Sequence, residues 1–298
     1  MANERAQQER RSDTVREKRK VQAAKHEGLM KGAFTKDTED TVAAAVIYEE
    51  GVGRETPLPD PAPFETTETK VVTSFAPEAI RCHGQGKVAV VDPASFTRPG
   101  GAYEDGAFGP EQILCSESNL YQVLQGIRGT YHDKNKDYRR GMLFTSRAAY
   151  LPEVMFLQGG NVKKADVIVV AEPVRARALE NHRSERECDN ELAGRLETIL
   201  HIAADQGVET LVMGAFACGR NGYPTSQVIE LIQTWIAEHP GIIGRIVFAV
   251  PRAFVDDFRA AFDPEEEETV IAEEMLEETD TDEDDWRSVE LPEGVTLR

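Results

Sequence analysis

The sequence predicts an α/β domain: a mixed sheet flanked by helices on both faces. Three observations point to it. Short apolar runs rich in β-branched residues recur at 88–91, 165–170 (ADVIVV), 211–213 and 245–250 (RIVFAV), with helical patterns between them. Such runs suit strands buried on both faces. Two of them empty into glycine-rich loops and then into helices, which places both loops at the carboxyl ends of strands, where open α/β sheets bind ligands. The chain has 298 residues, 40% of them hydrophobic, enough for one large domain or two small ones.

The first strand–loop–helix unit runs from Val88 to Tyr121 and organises the chain. Its loop carries Gly100, Gly101, Gly106 and Gly109, and a helix begins at Pro110-Glu111-Gln112. Glycines let a backbone approach a ligand closely, and free N–H groups at a helix start favour an anion. A glycine-rich surface loop without a ligand is the plain alternative. The second unit, TLVMGAFACGRNGYP over 210–224, repeats the pattern with Gly214, Ala215, Ala217, Gly219 and Gly222, and tips the reading toward a nucleotide site.

Taken in order, residues 3–31 read as a solvated basic helix or arm, because apolar positions are sparse. Its charge would meet the acidic tail or a partner, or remain a solvated face. Residues 41–48 (TVAAAVIY) read as a strand, 51–63 as a turn-rich connector, 70–74 as a strand and 76–86 as a short helix. A helix follows over 116–128 with an apolar stripe at Leu120, Tyr121, Val123, Leu124 and Ile127. Residues 130–141 are a polar excursion. Strands at 143–150 and 153–157 flank a turn at Pro152. A helix at 181–205 shows Leu192, Leu196, Ile199, Leu200 and Ala203 on one face. Helices near 225–238 and 254–262 complete the pattern. The expected division is a basic helical arm over 1–40, the α/β domain over 41–262, and an acidic, disordered tail over 263–298 with a transient helix near 270–278.

A net charge of −19 argues against non-specific binding to nucleic acid or anionic membrane, and no apolar run reaches the roughly 20 residues of a bilayer span. The N-terminus is too polar for a secretory signal. Cys82, Cys115, Cys188 and Cys218 are scattered without metal-ligand spacing, so no metal or cofactor is called for and a reduced, cytoplasmic setting is expected. Cys218 reads as a small loop residue before it reads as a reactive thiol.

Several residues together resemble the macrodomain of microbial-type poly(ADP-ribose) glycohydrolases. In that family Asn-Pro-Gly-Gly-Gly is followed by Gln-Glu-Glu and a helix. Here the register reads Arg98-Pro99-Gly100-Gly101-Ala102, then Pro110-Glu111-Gln112, with Ser118-Asn119-Leu120-Tyr121 at the helix end. The second loop, Gly214-Ala215-Phe216-Ala217-Cys218-Gly219, resembles the family's Gly-Ala-Trp-Gly-Cys-Gly, and Ala171-Glu172-Pro173 stands at an Ala-Pro segment. The resemblance spans about 70–250. It implies a macrodomain-like fold and an ADP-ribose pocket. The ligand contacts it implies are Asp92, Arg98, Gly100, Gly101 and Ala102 from the first loop, and Gly214, Ala215, Phe216, Cys218, Gly219, Arg220 and Asn221 from the second. The second loop's N–H groups would hold the diphosphate. The implied partner is ADP-ribose or an ADP-ribosylated protein.

The resemblance also implies where chemistry would sit. The family's catalytic glutamate, which protonates the leaving ribose oxygen and then activates water, falls on Gln112, and Glu111 before it is retained. An amide cannot shuttle a proton, and general acid–base catalysis contributes about 10²–10⁴-fold. Three readings follow. In the first, a glycohydrolase uses Glu111, Glu104 or Asp105 in place of the lost carboxylate. In the second, a module binds ADP-ribose or a related nucleotide without turnover, with Arg98 and Arg220 contacting phosphate. In the third, ranked last, the pocket hydrolyses something else through Ser95, Cys115, Ser116 or Cys218, with His83, His132, His182 and His201 dispersed. Plainer roles weigh against each: Glu111 as a helix-start carboxylate, Glu104 and Asp105 as a solvated loop tip, the arginines as surface ion pairs.

Overall fold

A computed structural model describes residues 2–137 and 140–264 of the chain. The chain divides into two compact units, Met1–Asp263 and Pro264–Arg298. The expected acidic tail and its helix lie outside the described residues, apart from the first two residues of the tail.

In chain order the elements are α1 (Ala2–Ala33), α2 (Thr35–Ala44), β1 (Val46–Tyr48), β2 (Glu68–Val72), α3 (Ala76–His83), β3 (Val88–Pro93), α4 (Pro110–Ser116) and α5 (Leu120–Gly126). Then come β4 (Ala148–Gln158), β5 (Asn161–Val170), α6 (Arg175–Glu180), α7 (Glu185–Asp205), β6 (Thr210–Met213), α8 (Thr225–Glu238), β7 (Arg245–Ala249) and α9 (Val255–Phe262). The strands form one mixed sheet in the order β1-β4-β5-β3-β6-β7-β2. From β5 to β2 neighbouring strands are parallel; β4 is antiparallel to both β5 and β1.

Both faces of the sheet are covered. On β3, Ala89 and Val91 enter the core shared with Leu192, Leu196 and Ile199 of α7 and Val228 and Ile232 of α8. Val88 and Val90 enter the opposite core, with Ile80 of α3, Leu114 of α4 and Leu120 and Leu124 of α5. Alternate residues of a strand point to opposite faces, so a strand covered on both sides has no polar face, as the β-branched runs predicted.

Four expectations are corrected. Residues 41–48 divide between the end of α2 and the three-residue β1. Ala43-Ala44-Ala45 favours helix, and the β-branched pair Val46-Ile47 takes over only afterwards. The helix expected over 116–128 is broken at 117–119. There Asn119 Oδ1 accepts from Met155 N–H (2.9 Å), and Leu157 N–H donates to the Glu117 carbonyl (2.8 Å). The break lays a short piece of chain along β4 beyond the reach of β1, pairing Ser118 with Phe156 and covering a sheet edge. Pro152 does not end a strand. β4 continues through a bulge between Leu151 and Val154, where the Glu153 N–H turns to Asp166 Oδ1 (2.7 Å). The helix expected from 181 begins at Glu185, with Ser184 and Glu187 forming a capping box.

A further correction concerns α1, which is not simply solvated. Met30 is fully buried, and Ala23 joins the core beside α4 and α5. Arg16 Nε donates to the Asp105 carbonyl (2.9 Å), His26 Nδ1 meets the Tyr103 hydroxyl (3.1 Å), and the Arg19 guanidinium lies 4.4 Å from the centre of the Phe108 ring. The helix therefore straps the first glycine loop.

Candidate functional site

β3 and β6 are parallel neighbours, so the loops that leave their carboxyl ends stand side by side. The first loop turns on two left-handed glycines, Gly100 (φ +66°) and Gly101 (φ +57°), with Gly101 N–H bonded to the Arg98 carbonyl (2.9 Å). Gly101 is required for space as well. A Cβ there would sit 2.9 Å from both Gln112 Nε2 and Glu111 Oε2. That contact brings the loop's glycine pair directly over the start of α4.

Glu111 points inward and is 4% exposed. Its Oε2 accepts from Ser95 N–H (3.0 Å) and from Gln112 Nε2 (3.3 Å), while Oε1 has no hydrogen-bond partner. Burial, with the like charge of Asp92 nearby, raises its pKa well above the ordinary carboxylate range. Gln112 Nε2 also donates to the Gly100 carbonyl (3.0 Å), so the amide braces the loop. Asp92, at the end of β3, is fully buried with both carboxylate oxygens unpartnered; burial and the charge of Glu172 raise its pKa. Cys115 lies beneath, its thiol raised by burial and by Glu111 and Asp92, which makes it inert as a nucleophile.

From the other side, Ala171-Glu172-Pro173 leaves the end of β5. Glu172 Oε1 accepts from the Ala217 N–H (2.6 Å) and Oε2 from Asn221 Nδ2 (2.5 Å). Burial raises its pKa to about 7, against the lowering effect of those two bonds and of the Arg220 charge. Ala217 adopts a left-handed φ of +61° in this loop. Phe216 is buried; Gly214 and Ala215 are partly exposed; Gly219 and Arg220 are exposed. Cys218 is buried and its thiol is pushed up to about 11 by burial, so it is a structural loop residue.

The structure thus gathers Asp92, Glu111, Gln112, Gly100, Gly101 and the second loop at one end of the sheet. Arg98 goes elsewhere: it is exposed and paired with Asp105 (2.9 Å) and Glu104 (3.8 Å). That arrangement occupies the two loop carboxylates expected to stand in for Gln112, and fits the plain ion-pair reading of Arg98. Asn221 is turned to Glu172, and one of the second loop's N–H groups, that of Ala217, is taken by the same carboxylate. Glu172 is the residue that sequence reasoning passed over as a candidate. The available signal was an acidic residue directly after a wholly apolar strand, at the position of an Ala-Pro segment.

The family model for the microbial-type PARG catalytic domain matches residues 12–159, and that for the Macro domain matches residues 130–232. The chain belongs to the microbial-type poly(ADP-ribose) glycohydrolase (PARG) family. Among solved structures it is similar to PARG from Thermomonospora curvata, with a TM-score of 0.69 and 22% identity over 78% of this chain and 93% of that one. The same enzyme bound to the inhibitor ADP-HPD gives 0.67 and 23% over 84% and 99%. PARG from Deinococcus radiodurans in complex with ADP-ribose gives 0.69 and 21% over 77% and 98%. At these identities the likeness shows the PARG macrodomain fold. No curated protein matches the chain. The match from residue 12 takes in most of α1, in keeping with a PARG-family domain that includes the helix strapped across the first loop. Among the described residues no helix is long and apolar enough to cross a membrane, and no cluster of three or more His, Cys, Asp or Glu is arranged to hold a metal ion.

Proposed function

We propose that this PARG-family chain recognises ADP-ribose, free or attached to a protein, where the loop over 98–112 meets the loop over 214–222, and that Glu111 supplies the acid–base group there. One observation carries the reading: Glu111 is buried at the floor of the first loop with one carboxyl oxygen unpartnered, in surroundings whose burial and like charge favour its protonated form. A protonated carboxyl can give its proton to a leaving ribose oxygen. The carboxylate that results can then take a proton from the water attacking the anomeric carbon. The presence of ADP-ribose or an inhibitor in related solved structures supports the ligand class. We place the chain in the cytoplasm; its four cysteines are unpaired, and three of them are buried.

A second reading, binding without turnover, is favoured by Gln112. Its amide cannot transfer a proton, and it is committed to the Gly100 carbonyl and to Glu111. Calorimetric titration with ADP-ribose, paired with a hydrolysis assay on ADP-ribosylated protein, tests both. Binding and slow release in wild type, abolished by Glu111→Gln and raised about 10²–10⁴-fold by Gln112→Glu, is the expected result. Binding without release would leave the second reading. No binding would overturn both.

A further inference from the structure

Glu172 has no part in that proposal, yet it sits at the centre of the second loop's hydrogen bonding. Each of its carboxylate oxygens takes one donor: the Ala217 backbone N–H and the Asn221 side chain. Both donors belong to the loop that leaves the carboxyl end of β6, the end of the sheet where a ligand would lie. A loop N–H turned inward by a left-handed residue, with a side-chain amide beside it, is an anion-binding arrangement. In this chain the anion in it is the protein's own.

We infer that Glu172 is an internal anion seated in the second loop's donor site, and that it sets the specificity of the cleft by disfavouring diphosphate-bearing ligands until its carboxylate is protonated or drawn aside. The inference rests on the proposed ADP-ribose reading. A diphosphate approaching Ala217 N–H meets a carboxylate that already holds the donor and repels the newcomer. Loss of the charge weakens both effects, because a neutral carboxyl is a poorer acceptor and no longer repels phosphate.

The groups around Glu172 decide how readily that happens. Asp92 faces it from β3 with like charge, Arg220 from the turn at Gly219–Asn221 with opposite charge, and the Cys218 thiol lies beside it. Glu111 lies one step further, next to Asp92. Burial holds the Glu172 carboxyl at about 7, inside the physiological range. Affinity for a diphosphate ligand therefore rises as pH falls from 8 to 6.

The test is calorimetry on the full chain at pH 6 and pH 8, with ADP-ribose, inorganic pyrophosphate and adenosine, on wild type, Glu172→Ala and Glu172→Gln. The expected result at pH 8 is ADP-ribose and pyrophosphate binding about 10- to 100-fold tighter to Glu172→Ala than to wild type, with adenosine unchanged. The pH dependence seen in wild type should shrink in both variants. Glu172→Gln keeps the side chain and removes its charge, and carries the comparison if the alanine variant does not unfold cooperatively. Equal ADP-ribose affinity in wild type and variants would overturn the inference and leave the proposed function standing. An equal gain for adenosine would also overturn it, because the effect would then be general loosening. Absence of ADP-ribose binding in all three folded proteins would overturn the proposed function, and this inference with it.

Discussion

Arg195 is the largest fully buried side chain of the domain, and replacing it by Met should cost about 3 kcal/mol. It lies in the middle of α7, with its side chain wholly inaccessible to solvent. One terminal nitrogen donates to the Ala171 carbonyl (2.5 Å). The other donates to the Leu143 carbonyl (3.0 Å) and reaches Glu191 one turn away (3.3 Å). Methionine fills much of the aliphatic volume but leaves two buried carbonyls without these donors. Hydrogen bonds to a charged donor contribute about 1.5–3 kcal/mol each, so two of them amount to roughly 3–6 kcal/mol. Those values are already net of desolvation, and methionine leaves no charge buried at the site, so the loss is expected at the low end, about 3 kcal/mol. The Glu191 contact adds little, since that carboxylate is a quarter exposed and its bond is the longest. Urea unfolding with a fluorescence readout measures the loss directly. In a thermal scan the same change lowers Tm by roughly 6–12 °C for a unit of this size. A loss below about 1 kcal/mol would refute the reasoning, because the two carbonyls would then have found other donors at no cost. The result bears on function too: Ala171 precedes Glu172, so Arg195 anchors the segment from which that carboxylate reaches the second loop.

Other outcomes follow from the same geometry. Gly106→Ala places a Cβ 2.1 Å from the Arg16 carbonyl at a φ of +71°, so α1 must lift; hydrogen exchange should rise across 14–33, with a stability loss of roughly 1–3 kcal/mol, and unchanged protection would refute the strap. Gly101→Ala crowds Glu111 and Gln112 and should abolish ADP-ribose binding in calorimetry while leaving unfolding cooperative. Stability should fall as pH rises above 6.5. Asp92, Glu111 and Glu172 have raised pKa values, so the folded state holds protons that the unfolded chain releases, and their stabilisation is lost as pH climbs through the raised values. His26 and His132, lowered to about 4 by burial, act in the opposite sense, but only below pH 6.5. Asp92→Asn should therefore reduce the fall in urea-unfolding stability between pH 6.5 and 8.5 by roughly 1–2 kcal/mol, and identical slopes in variant and wild type would refute the assignment.

The parts of the fold legible in sequence are those whose residues answer to local rules. The runs at β3, β5, β6 and β7 are apolar because both faces of the sheet are covered, and the stripes of α5 and α7 are apolar because one face of each is. What escaped depends on partners far along the chain. α1 docks through Arg16 on a carbonyl 89 residues away and through a glycine that admits its backbone, and neither leaves an apolar stripe to read. The break between α4 and α5 is made by Asn119 pairing with Met155. Pro152 read as a stop because a bulge cannot be distinguished from a turn without the partner strand.

The candidate site divides along the same line, and the division explains why its chemistry was harder to read than its place. The glycine loops announce themselves, since Gly100 and Gly101 need left-handed backbone and empty space whatever the ligand. Charges do not, because their effect depends on what surrounds them. Arg98 and Asp105 look in sequence like a phosphate contact and a spare catalytic carboxylate, yet seven residues apart on a tight loop they neutralise each other. Glu172 looks like an unremarkable acid after a strand, yet its donors lie 45 and 49 residues further on. With Gln112 in place of a glutamate, the acidic groups left inside the site are Asp92, Glu111 and Glu172, contributed by three different elements. Burial raises the pKa of all three, and like charge adds to it at Asp92 and Glu111. Asp92 stands between the other two: the charge of Glu172 raises its pKa, and its own charge raises that of Glu111. Asp92→Asn removes a like charge beside Glu111 and should lower the Glu111 pKa, while burial keeps it above the ordinary carboxylate range.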